Sequence, residues 1–112
     1  MKKYGKINIF GTWYDLYNQT ENDNPKMVGK DGMCESYSKQ LIIDTSVKND
    51  KDAFANVDDY FHFILRHEAF HAIFHEIGHG EDYCRDEVLV NILAHLYPKI
   101  RQIMDKLDDT EI

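Results

Sequence analysis

His67-Glu68-Ala69-Phe70-His71 sets two imidazoles four residues apart with a carboxylate beside the first. On a helix, residues i and i+4 share a face about one turn apart, so both rings can reach one ion at ~2.0–2.1 Å. Glu68 sits one step round that helix, where it can take a proton from a water at the ion instead of binding the ion. The chemistry this pattern suits is zinc-assisted hydrolysis, with His67 and His71 as ligands and Glu68 as general base. A shuffled chain of the same composition would hold roughly 0.02 such matches, so chance is a poor explanation.

The pattern recurs at His75-Glu76-Ile77-Gly78-His79. That second frame places Gly78 inside the motif and Gly80 just after it, at a helix end where imidazoles are held loosely. The first frame lies mid-helix, on the more rigid element, and is preferred. His75 and His79 are then solvated or play a supporting role.

A catalytic zinc site has three protein ligands and an open position. Glu87 is the preferred third donor. The fifteen residues between it and His71 suffice to end one helix, turn, and start another that packs back across the first. Asn91, four residues on, is placed to orient the Glu87 carboxylate. Asp86, His75 and His79 are the alternatives, and Glu87 and Asp86 would also suit a helix N-terminus on electrostatic grounds alone. The pattern HExxHxxGxxH is excluded, because Phe74 and Ile77 stand at its glycine and third histidine. Tyr83, Tyr37 and His79 could each reach such a site as oxyanion stabiliser, and none is singled out.

The elements that must carry these residues are legible as a strand half followed by a helical half, an α+β class with three to four mainly antiparallel strands and two or three helices. Lys6–Phe10 alternates at strand period, turns at Gly11-Thr12 and resumes over Trp13–Tyr17. Gln19–Lys30 is rich in turn formers and reads as an exposed loop. Met33–Tyr37 and Gln40–Thr45 read as two further strands joined by Ser38-Lys39, with Leu41-Ile42-Ile43 the most buried piece. From about Asp52 the period becomes helical, with Phe54, Val57, Phe61, Ile64 and Leu65 on one stripe. The main helix should run from near Asp58 to Gly78, with Gly78 or Gly80 just past its last turn. A second should start near Tyr83, meet Pro98 as a kink or a fresh start, and end in an acidic, frayed tail over Asp105–Ile112.

Composition narrows the partners. The 112 residues suit one domain, 1–112, and their net charge of −7 offers no positive field for nucleic acid or an anionic membrane. No run approaches the ~18 apolar residues of a bilayer span, and Met1–Gly5 opens no signal region, so a cytoplasmic location is expected. Cys34 and Cys84 read as two reduced thiols, which leaves the Asn18-Gln19-Thr20 glycosylation match without meaning.

With these residues in hand, the chain resembles the small phage- and prophage-encoded metallopeptidases related to the ImmA/IrrE-type and minimal gluzincin-like families. The likeness spans Ile7–Gly11, Gln40–Asp44, Leu65–Ile73 and Asp86–Ala94. It implies a minimal zincin-like fold, Zn2+ held by His67, His71 and Glu87, Glu68 as base, a peptide or protein substrate, and a place in the host cytoplasm. Bulky Phe70 and the extra histidines depart from that pattern. Two other classes stay open: a phage-encoded binding or regulatory module with a structural or vestigial metal, and a metal-free interaction helix displaying Tyr60-Phe61-His62-Phe63. An intact Glu68 argues against a purely structural site, which needs no base. Oligomeric state is not legible.

Overall fold

The computed structural model describes residues 2–46, 57–78 and 86–111. Expectations placed on Phe54, His79, Gly80, Tyr83, Cys84 and Ile112 fall outside those residues, and so does the side chain of Val57. Strands β1 (Lys2–Ile9), β2 (Thr12–Asn18), β3 (Gly32–Glu35) and β4 (Gln40–Ile43) precede helices α1 (Val57–Glu76) and α2 (Glu87–Asp108). The molecule is therefore α+β.

Phe10 and Gly11 both take positive φ, 52° and 93°, which makes a two-residue type I′ turn whose twist matches the flanking strands. The Asn8 side chain accepts from the Gly11 N–H at 2.7 Å and steadies it. The turn thus falls one residue earlier than the sequence suggests. The sheet order is β1-β2-β4-β3. Its β1–β2 and β3–β4 pairs are antiparallel, while β2 and β4 run parallel. The parallel pair arises because the chain leaves β2, passes outward to β3 and returns, inserting β4 in the middle. Leu41, Ile42 and Ile43 are all buried, as a strand covered on both faces requires.

Each sheet face has its own cover. Ile9, Tyr14 and Leu41 pack with Ala72 of α1, joined by Leu16, Leu65, Ala69 and Ile73. On the other face Met27, Met33 and Ile42 form a second cluster with Tyr17. The Gln19–Lys30 segment is therefore no exposed loop throughout. Its Pro25–Met27 turn of 3-10 helix, capped by the Asn24 side chain, drives Met27 to 1% exposure beneath the sheet.

Helix α1 ends at Glu76, and Gly78 just past its last turn takes a φ of 86°, which suits glycine at that position. Helix α2 starts at a true cap, the Asp86 carboxylate accepting from Leu89 N–H at 3.0 Å. Pro98 neither breaks α2 nor opens a new helix. Having no N–H, it leaves the Ala94 carbonyl without its helical donor, and Arg66 Nε of α1 donates to that oxygen at 3.0 Å. Val90 and Ala94, both fully buried, let the two helices approach closely. The acidic tail is helical through Asp108, with Asp109 N–H bonded back to Asp105 O at 3.1 Å. No helix among the described residues is long and apolar enough to cross a membrane.

Candidate metal centre

His67 and His71 stand one turn apart on the middle of α1, facing the first turn of α2. Their Nε2 atoms are 3.2 Å apart. Glu87, first residue of α2, reaches across with Oε2 3.0 Å from His67 Nε2 and Oε1 3.0 Å from His71 Nε2. Two imidazole nitrogens and one carboxylate oxygen can be drawn from these residues within 4.8 Å of one another. Donors ~2.0–2.1 Å from a tetrahedral zinc lie about 3.3 Å from each other, so this set is close to the spacing such an ion asks for. His71 is buried, His67 partly so, and the Glu87 side chain is 69% exposed. The set is thus anchored on the α1 side and open on the α2 side.

Asn91 lies one turn beyond Glu87, but its contact is with the histidine and not with the carboxylate: Oδ1 stands 3.2 Å from His67 Nδ1. Donation from Nδ1–H to that oxygen fixes the tautomer that presents a bare Nε2 to an ion. Phe63 braces the same ring edge-on, with centroids 6.2 Å apart, and stacks on His95 at 4.2 Å.

Glu68 is 8% exposed and lines the same open cavity of about 560 Å³ as His67, His71 and Glu87. Burial raises its carboxyl pKa from 4.5 to about 8, the Glu87 charge adds to that, and Lys30 partly opposes it. The carboxylate turns toward the start of β3. A β-carbon built on Gly32 would stand 3.0 Å from Glu68 Oε2 and 2.5 Å from Ile64 Cγ2. Gly32 is therefore part of the site's packing, and sequence reading missed it; the only signal was a glycine opening a strand, which often marks close approach. Tyr60 O–H donates to Asp31 Oδ2 and ties the first turns of α1 to the lead-in of β3.

The second frame is differently disposed. Glu76 accepts from Tyr14 O–H at 2.5 Å and from Lys39 Nζ at 2.9 Å. The Tyr14 hydrogen bond, with help from Lys39 and Thr12, holds its carboxyl down at about 2. Glu76 fastens the end of α1 to the sheet and is committed there, whereas Glu68 faces the cavity. Asp86, an alternative ligand by sequence, is spent on the helix cap. Tyr37 is 98% exposed and absent from the cavity wall, while Tyr83 and His79 lie outside the described residues.

No family model, no curated protein and no solved structure matches this chain.

Proposed function

We propose that this chain is a zinc-dependent peptidase of phage type, with His67, His71 and Glu87 as the ligands and Glu68 as general base. The observation that carries the reading is the meeting of two imidazoles and one carboxylate at 3.0–3.2 Å, with a second, buried carboxylate on the wall of the same cavity. Neutral imidazoles and a carboxylate are the donor types of catalytic zinc, and three of them leave a coordination position open. Bound there, the ion would acidify a water toward pKa ~7 and polarise the scissile carbonyl.

The remaining work belongs to the chain. Glu68 takes the proton from the attacking water and passes it to the departing amine, both within reach of one carboxylate on a rigid helix. Proximity of a divalent charge would lower the Glu68 pKa from its ion-free value, so that the base form is present near neutrality. Asn91 keeps His67 in the correct tautomer. Among the described residues β3 pairs with β4 on one side only and supplies Gly32, Met33 and Cys34 to the cavity wall, so its outer edge can add an extended peptide as a further strand.

Glu68→Gln separates this reading from a structural or vestigial metal. The amide keeps size and hydrogen-bonding reach but accepts no proton at neutral pH. Zinc content should be unchanged and hydrolysis of a peptide cut by the zinc-loaded wild type should fall by about 10²–10⁴-fold. Undiminished hydrolysis by zinc-loaded Glu68→Gln would remove the base from the account.

A further inference from the structure

Among the described residues, the cavity wall carries one lysine that makes no salt bridge. Asp31 is held by Tyr60 O–H, Glu87 faces the two imidazoles, and Glu68 is the proposed base. Lys30 lines the cavity at its β3 end, where its charge also acts on Glu68; among the described residues its ammonium makes no salt bridge and stands 4.0 Å from the Met33 sulfur. Lys3, Lys26 and Lys39 contrast with it: each holds a carboxylate, at 2.8, 3.2 and 2.9 Å. The exposed Lys30 ammonium, held by no salt bridge among the described residues, can meet an incoming anion as well as act on Glu68.

Strand direction says which part of a substrate would bring that anion. β3 runs from Gly32, packed beside Glu68, to Glu35. A peptide added antiparallel, the pairing that is stronger per residue, runs the other way and leaves past Gly32 on its carboxyl-terminal side. Lys30 lies two residues further along that exit. At ~3.3 Å per extended residue, the end of the lysine chain meets whatever lies one or two residues beyond the bond at Glu68.

We infer that Lys30 anchors a carboxylate on the leaving-group side of the scissile bond, one or two residues beyond it. The carboxylate is either the C-terminus of the peptide or an Asp or Glu side chain. The site then favours short carboxyl-terminal releases or cleavage just before an acidic residue. This specificity rests on the peptidase reading, and binding tests it apart from turnover.

Zinc-loaded Glu68→Gln protein would be titrated with fluorescent peptides of one core sequence, following anisotropy. One peptide has a free C-terminus, one is amidated, one is amidated with Glu beyond the bond, and one is amidated with Lys there. The free acid, the Glu peptide or both should bind roughly five- to tenfold more tightly than the plain amide. The free acid alone doing so identifies the terminal carboxylate as the source; the Glu peptide alone identifies the side chain. Lys30→Met should abolish the difference and Lys30→Glu should turn it toward the Lys peptide. Equal affinities, or a preference that survives Lys30→Met, would overturn the assignment. Preference with no hydrolysis of any of the peptides by the wild type would overturn the peptidase reading alone, and no binding at all would overturn both.

Discussion

Gly32 packs against Ile64 and Glu68 of α1, and the contact leaves no room for a methyl group. Gly32→Ala should destabilise the protein by about 1–3 kcal/mol through overpacking against Ile64. Because the added carbon also crowds Glu68, hydrolysis should fall further than loss of folded protein explains; a kcat equal to wild type per folded molecule would show that Glu68 is not positioned from β3. The two motif frames give a second test at this scale. Glu76 is bound to Tyr14 and Lys39, so the first frame is the one with its carboxylate at the cavity. His71→Ala should lose the metal and, by mass action, the stability that metal supplies, while His79→Ala keeps both. Equal metal loss in the two variants would put the site in the wrong frame.

At the scale of elements, Arg66 and Pro98 form a matched pair. Proline removes a donor inside α2 and arginine from α1 replaces it, which joins the helices across the site. Arg66→Met should cost about 1–3 kcal/mol by orphaning the Ala94 carbonyl. In a Pro98→Ala background the helix regains its own N–H, so the same substitution should cost clearly less. Additive effects in that double-mutant cycle would mean the bond is incidental. Sequence pattern could not have supplied this pair, since Pro98 announces a missing donor without saying who replaces it. The α1 face was legible because i,i+4 spacing is local, and Glu87 because a helical hairpin folds its second first turn back on the middle of the first helix. Met27 was not, because turn-forming neighbours mask a residue whose burial depends on the back of a sheet formed elsewhere. Nor was the β2–β4 parallel pair, because alternation specifies a strand but not its neighbour.

For the molecule as a whole, two glutamates give opposite dependences on pH. Glu76 has a folded pKa near 2 against an ordinary 4.5, so its stabilisation is present above about pH 4.5 and is lost as pH falls toward 2. Glu68, raised to about 8 in the ion-free protein, holds its proton more tightly when folded; its share of stability is present at low pH and lost as pH climbs from 4.5 through 8. After chelation, Glu68→Gln should therefore raise Tm at pH 8, by about 4 °C or more for each kcal/mol relieved, and leave it little changed at pH 5. Equal shifts at the two pH values would mean that Glu68 is not desolvated.

A metal held by His67, His71 and Glu87 is what the proposed hydrolysis requires, and elemental analysis of protein purified without chelator and then equilibrated with zinc tests for it. One zinc per chain is expected in the wild type and in Glu68→Gln, and much less than one in His67→Ala and His71→Ala. Substoichiometric zinc in the wild type, or full occupancy in His71→Ala, would contradict it.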